Sequence, residues 1–268
     1  MVVNLSMLHF GEEPPITGTR GSGAVFFEGC TLGCPFCQNY KISRGNTGKG
    51  KIYTPDQLAD EFLRLESLGA HNINLVTPMH FAPEVSLSIG RAKDLGLKVP
   101  VLINTGGYDK VETLKLFEGL VDIYLPDMKF YSDRLSYEIL KVKDYRKVCE
   151  KALEEMYRQT GPAVTDENGI MKKGMIVRHL MIPGQLFDTK KVLDFLTERY
   201  FNKIYISLMN QYTPMPQLEK LKVPEYLKRK LPEGHYRAAT DHLILSGHEL
   251  FFTQEEDASG DLMIPGFN

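Results

Sequence analysis

The sequence predicts one α/β domain, a barrel or open barrel of six βα units followed by a C-terminal cover, and three observations carry that expectation. Short apolar, β-rich runs recur along the 268 residues, helical patterns with recognisable end signals lie between them, and no glycine-serine or charged linker separates two halves. Because the strand runs are nearly all apolar, both of their faces should be buried, as in a parallel sheet covered by helices. Barrels of alternating strands and helices reach this length as a single domain.

The predicted strands are 24–27, 73–76, 99–103, 122–125, 175–181 and 204–208. The best-marked helix follows Thr54, where Thr-Pro-Asp-Gln supplies an N-cap, a proline at the first helical position and Gln57 to complete a capping box. Leu58, Phe62 and Leu65 then share one face, and Gly69 stops the helix a few residues before the next strand. Residues 85–95 repeat the pattern. Residues 145–159 form the longest charged-faced helix, and Asp188 starts another with Val192, Phe195 and Leu196 on its buried side. Past Leu208 the pattern breaks into Thr213-Pro214-Met215-Pro216, a basic segment at 220–230 that reads as a solvated helix face, and a final helix near 237–245. The chain thus divides into a core of about 20–210 and an extension, 211–268, within one domain spanning 1–268.

Composition narrows the class. With 43% hydrophobic and 25% charged residues the chain is of ordinary globular type, and 32 Lys+Arg against 34 Asp+Glu leaves a net charge of −2. That balance argues against nucleic-acid or anionic-membrane partners held by bulk electrostatics. No run approaches the roughly 20 apolar residues of a membrane span, and the first ten residues lack a basic, apolar leader pattern, so a cytoplasmic location is expected. Four cysteines are too few for a disulfide framework, and three of them crowd into 30–37 while Cys149 stands alone.

That cluster, Glu28-Gly29-Cys30-Thr31-Leu32-Gly33-Cys34-Pro35-Phe36-Cys37-Gln38-Asn39-Tyr40, follows the first predicted strand directly. In parallel α/β folds the C-terminal ends of strands are where active sites are built. Three thiolates spaced C-x3-C-x2-C can hold three irons of a cubane cluster and leave the fourth open to substrate, whereas electron-transfer clusters take four cysteines; Cys149 could supply a fourth. Two other readings use the same residues. Cys34-Pro35-Phe36-Cys37 fits a thiol-disulfide oxidoreductase, which leaves Cys30 unexplained, and a zinc-binding interaction module could be completed by His9, His80 or Cys149, although no second ligand pair stands at zinc-finger spacing.

The cysteine spacing and its place after strand one resemble the radical S-adenosylmethionine (radical SAM) superfamily. Gly18-Thr19-Arg20-Gly21-Ser22-Gly23, leading into Val25-Phe26-Phe27-Glu28-Gly29-Cys30, and Asn39 after Cys37 are similar to pyruvate formate-lyase activating enzyme and its uncharacterised relatives. Ile103-Asn104-Thr105-Gly106-Gly107-Tyr108, Tyr124-Leu125-Pro126-Asp127-Met128-Lys129, Val177-Arg178-His179-Leu180-Met181-Ile182-Pro183-Gly184 and Ser207-Leu208-Met209-Asn210-Gln211-Tyr212 extend the likeness over nearly the whole chain. The resemblance implies a partial (β/α)6 TIM-like barrel with a 4Fe-4S cluster on Cys30, Cys34 and Cys37 and SAM on the open iron. It places Phe36 against the adenine, chiefly through its backbone, with Asn39 beside the cluster. Asn104, Thr105 and Asp127 would lie near the SAM methionine moiety and a monovalent cation. Arg178 would face the same cavity, where its guanidinium can grip a carboxylate, and Lys129 at its strand end must be solvated or paired there. Thr77-Pro78-Met79-His80 replaces the glycine-glycine-glutamate segment that meets the SAM amino group, so the Thr77 hydroxyl or nearby carbonyls would serve instead. The implied activity is reductive cleavage of SAM and hydrogen abstraction, with a flavodoxin- or ferredoxin-type electron donor and a glycyl radical enzyme as the partner activated.

Other motifs point to structure. Residues 45–51 have the glycine and lysine spacing of a phosphate-binding loop, but Ile52 stands where the magnesium-binding hydroxyl should be, and a flexible solvated loop is expected. Gly21-x-Gly23 precedes a strand where a dinucleotide fingerprint would follow one. His71, His235, His242 and His248 have no motif partners, and Cys149 reads as a small buried hydrophobe.

Overall fold

The computed structural model describes residues 1–45 and 47–254. Within these residues ten strands are arranged in one curled sheet: β1 (Val2–His9), β2 (Ser22–Phe27), β3 (Lys51–Ile52), β4 (Ile73–Val76), β5 (Val101–Thr105), β6 (Ile123–Pro126), β7 (Val164–Thr165), β8 (Met171–Leu180), β9 (Tyr205–Met209) and β10 (Phe251–Thr253). Among the described residues nine α-helices accompany them: α1 (Pro14–Thr17), α2 (Tyr40–Ser43), α3 (Pro55–Ser67), α4 (Ala82–Asp94), α5 (Val111–Leu114), α6 (Asp133–Leu140), α7 (Tyr145–Thr160), α8 (Leu186–Tyr200) and α9 (His235–Leu245). The strand order is β10-β9-β8-β6-β5-β4-β2-β1-β3, with β7 paired to β8. From β2 to β10 the neighbours run parallel, while β1 lies antiparallel against β2 and β3 against β1. The path ends at β3 on one side and β10 on the other, so the barrel stays open, the partial α/β barrel the sequence led us to expect.

Alternation along the parallel strands separates two cores. Val25, Phe27, Leu75, Ile103, Tyr124, Val177 and Ile206 face outward and join the buried sides of the helices, among them Leu58, Phe62 and Leu65 of α3 and Val192 and Leu196 of α8. Facing inward, Leu102, Ile123, Leu125 and Ile176 close around Ile16 of α1, which plugs the lumen from below. Above that apolar layer the inward positions turn polar, with Asn104, Asp127, Arg178 and Ser207. The fold therefore stacks a dry base under a wet chamber.

Local signals hold where they are strongest. Gln57 N donates to Thr54 Oγ1 at 3.3 Å and Thr54 N to Gln57 Oε1 at 3.0 Å, closing the expected capping box, and Gly69 takes φ +94° beyond the helix. Several boundaries move. β5 begins after Pro100 and runs to Thr105, which brings Asn104 and Thr105 into the strand, because Pro100 lacks the N–H a ladder needs. Helix α8 starts at Leu186, and the carboxylate of Asp188, in its first turn, accepts from Tyr131 N and Ser132 N at the start of α6. The basic stretch 220–230 is not a helix face: 3-10 turns Pro216–Lys220 and Glu225–Lys228 bury Leu218 and Leu227.

Residues 45–51 are organised where they are described. The Glu28 carboxylate accepts from Asn4 Nδ2, Thr47 N and Gly50 N, so the amides that could have met a phosphate are turned onto a side chain of the chain itself. Asn46 lies outside the described residues, as do residues 255–268 of the C-terminal extension. Up to Gln254 that extension packs α9 on α8 and adds β10 as a seventh parallel strand. Among the described residues no helix is long and apolar enough to cross a membrane.

Candidate active site

A cavity of about 440 Å³ opens at the C-terminal ends of the strands and at the gap between the sheet edges, where His9 of β1 and Phe252 and Thr253 of β10 line it. Its lip is the cysteine loop. Cys30, Cys34 and Cys37 all border the cavity, Cys34 buried and the other two half-buried. Cys37 N donates to Cys34 O at 3.2 Å, and Gln217 Nε2 donates to Pro35 O and Cys37 O at 3.3 and 3.2 Å, so the C-terminal segment clasps the loop. Burial pushes the Cys34 thiol up to about 12, with Cys30 and Cys37 adding to the rise and Lys129 opposing it. A thioredoxin-type dithiol needs the contrary, a lowered first thiol.

No three His, Cys, Asp or Glu side chains among the described residues converge on one ion-sized point. A cubane donor set is wider, because each thiolate meets a different iron. Two of the three zinc candidates are committed elsewhere: His80 Nε2 lies 2.7 Å from Glu28 O, and Cys149, fully buried in α7, has its Sγ 3.8 Å from Asp127 O, while His9 lines the cavity with its ring edge-on to Phe26. Three thiols on one loop, a lysine beside them and the unpartnered buried Nε2 of Gln38 on the same cavity wall fit a thiolate-held cluster with a polar ligand next to it.

The strand ends supply the rest. Lys129 Nζ pairs with Asp127 Oδ2 at 2.5 Å and stands 6.0 Å from the centre of the Phe36 ring. Burial works against the Lys129 charge, but Asp127 and the adjacent thiols hold its pKa above the ordinary lysine value. The Phe36 ring packs on Phe130 and Tyr212, and the residue lines the cavity. The Asn39 carbonyl accepts from Ile42 N and Ser43 N and starts α2, and the residue borders the cavity.

Asn104 also lines the cavity, and its carbonyl accepts from Thr77 N at 2.8 Å. Thr77 sits at φ +55° with its hydroxyl donating to Val76 O at 2.8 Å. Thr105 lines the cavity as well. Its hydroxyl donates to Asp109 Oδ2 at 2.6 Å, which fixes the direction of its hydrogen.

Arg178 reaches into the chamber, yet the carboxylates it grips belong to the chain. Its Nε donates to Glu13 Oε1 at 2.7 Å and its Nη2 to Glu13 Oε2 at 2.5 Å and to Glu12 Oε2. Burial opposes ionisation of Glu13, but the Arg178 charge holds its carboxyl below the usual range. The sequence reading missed both glutamates. The partner arginine is 165 residues away from Glu13, and only the fold joins them.

Residues 24–196 match the family described as the radical SAM superfamily. A Methanocaldococcus jannaschii protein described as uncharacterised is 30% identical over 246 residues, covering 88% of this chain and 63% of the relative, so the chain spans about 63% of the length of the curated relative it matches. Two solved structures share the fold. Streptococcus suis SuiB bound to S-adenosylmethionine superposes with a TM-score of 0.53 at 14% identity, over 86% of this chain and 48% of that one. Methylornithine synthase (PylB) gives 0.51 at 16% identity, over 91% and 75%.

Proposed function

This chain belongs to the radical SAM superfamily, and we propose that it cleaves S-adenosylmethionine reductively at the cysteine loop and uses the resulting radical to abstract hydrogen from a second substrate. The family implies a 4Fe-4S cluster and SAM. One observation carries the reading: all three cysteines border the same cavity as Lys129, Asp127 and Asn104. Cys30, Cys34 and Cys37 would hold the cluster. When bound, it would supply one electron to SAM, giving methionine and a 5′-deoxyadenosyl radical. The protein's own part is to orient SAM and exclude water. Thr77, Asn104 and Asp127 would meet the methionine moiety and a monovalent cation, and Lys129 would keep positive charge beside the thiolates. Arg178 is taken up by Glu12 and Glu13 and is left out of this reading.

Glycyl radical enzyme activation is the finer reading, supported by the likeness of 18–30 and the strand-end segments to activating enzymes. It implies a protein partner whose glycine loop enters through the gap between β1 and β10, and a flavodoxin- or ferredoxin-type donor. Anaerobic reconstitution tests the core claim. Wild type and Cys149→Ala should bind four irons and, with reductant and SAM, form 5′-deoxyadenosine, while Cys34→Ala should lose both. Retained activity in Cys34→Ala would refute it. A glycine-centred doublet in the paramagnetic resonance spectrum of a candidate partner would support activation, and deoxyadenosine coupled to a modified small molecule would reject it.

A further inference from the structure

The inner end of the cavity carries side chains that SAM cleavage does not use, and their charges do not balance. Glu13 and Arg178 form a two-bond pair at 2.7 and 2.5 Å, and Asp127 and Lys129 pair at 2.5 Å nearer the lip. Glu12 is the remainder. Its Oε2 shares Arg178 Nη2, already matched by Glu13, and its Oε1 accepts from Asn74 Nδ2 at 2.7 Å. Among the charged carboxylate, lysine and arginine side chains lining the cavity in the described residues, the sum is one negative charge, on a side chain only 7% exposed. A buried carboxylate in surplus persists only where something compensates it.

Asn74 is the second observation. It is fully buried on the inward face of β4, two residues before the cavity-lining Val76, and Glu12 fixes its amide nitrogen. That bond assigns Oδ1 as an acceptor close to the cavity-lining Glu12 carboxylate, and buried Oδ1 has no donor. A lone acceptor beside a surplus anion is the complement of a cation that carries N–H groups. Between this corner and the cysteine loop the wall includes Phe26, Val76, Leu180 and Met209, which suit an alkyl stem better than a bare ion.

We infer that Glu12 and Asn74 bind the cationic nitrogen, a primary ammonium or guanidinium, of the molecule that gives up the hydrogen atom. This rests on the SAM-cleaving reading of the same cavity and names the chemistry of its second substrate. The nitrogen donates to the Glu12 carboxylate and to Asn74 Oδ1, and the stem runs along the apolar wall toward the lip. The charge is carried either by a free amine or by a lysine or arginine on an entering peptide.

Titration calorimetry on the oxidised, SAM-loaded enzyme tests it with 1,5-diaminopentane, agmatine and a short glycine-arginine peptide against the neutral 1-pentanol and the anionic pentanoate. At least one cation should bind at least about tenfold more tightly than both isosteres, and the preferred one identifies free amine or peptide. Glu12→Gln should erase that preference without lowering the thermal midpoint, since it removes a surplus charge and leaves Arg178 matched by Glu13. Equal binding of the isosteres, a preference that survives Glu12→Gln, or displacement of every organic cation by potassium alone would overturn the inference. The isostere comparison needs no variant. Iron content and deoxyadenosine formation of the same wild-type preparation separate the two claims: if they are present and the preference is absent, only the inference fails.

Discussion

Thr77 holds a conformation that β-branched residues avoid. At φ +55° its Cβ crowds its own backbone, a cost of about 1–3 kcal/mol that persists only where neighbours impose it. The neighbours are the Asn104 carbonyl, which takes its N–H, and the Val76 carbonyl, which takes its hydroxyl hydrogen and leaves the oxygen lone pairs free for an ammonium. Thr77→Gly should therefore keep or raise the thermal midpoint by relieving strain, and weaken SAM binding several-fold through the lost hydroxyl, by about 1 kcal/mol. Thr77→Ser should restore the affinity. Unchanged SAM affinity in Thr77→Gly, read by equilibrium titration, would assign the hydroxyl to the backbone alone. At this scale the sequence made the cysteines and cavity-lining Asn104, Asp127 and Lys129 legible, because a short motif and strand ends mark them. It hid Glu12, Glu13 and Asn74, whose meaning depends on an arginine more than a hundred residues away.

Helix α7 works on the site from behind the sheet. The Tyr145 hydroxyl accepts from Lys129 N at 2.9 Å and lies 3.0 Å from the carbonyls of both Gly106 and Asp127, so one buried phenol ties the ends of β5 and β6 together. Gly107 makes that approach possible. It takes φ +76°, and a Cβ there would stand 2.1 Å from Asp127 O and 3.1 Å from Cys149 Sγ. Neither the carbonyl nor the thiol can move without shifting the strand end that carries Asp127. Gly107→Ala should cost about 3 kcal/mol or more in thermal unfolding. Gly106→Ala, whose nearest neighbour would be Leu32 Cδ2 at 3.3 Å, should cost about 1 kcal/mol or less. Similar losses in the two variants would show that the close approach does not constrain the strand ends. Helices α3, α4, α7, α8 and α9 and the inner strands were legible because caps and apolar runs mark them, whereas the eight-residue α6 and the single turns α1, α2 and α5 were not. Strands β1, β3, β7 and β10 were not, since an edge strand needs no continuous apolar run and owes its pairing to a neighbour distant in sequence.

Across the whole molecule, two buried groups pull the pH dependence of stability in opposite directions. Burial pushes His179 down to about 4, and its ring nitrogens are taken up by Met128 O at 2.7 Å and Thr189 Oγ1 at 3.0 Å. Burial pushes Asp109 up to about 6, against its bond from Thr105. Below the unfolded value of about 6.5 the unfolded chain binds a proton that native His179 refuses, so the His179 contribution is lost as pH falls toward 4. Asp109 has the opposite sign, because native Asp109 takes up a proton near pH 6 that the unfolded carboxylate declines until near its own value of about 3.9, so acidification stabilises. Between about pH 7.5 and about pH 5.5, each effect amounts to about 1 kcal/mol, and wild type shows nearly their cancellation. Relative to wild type, His179→Gln should then gain thermal stability on acidification and Asp109→Asn should lose it. Other histidines and surface carboxylates titrate alike in all three proteins and drop out of the difference. Melting midpoints at the two pH values, in one cofactor state, decide the matter: slopes of the same sign in both variants would mean that at least one of the two groups is not held in the protonation state its burial dictates.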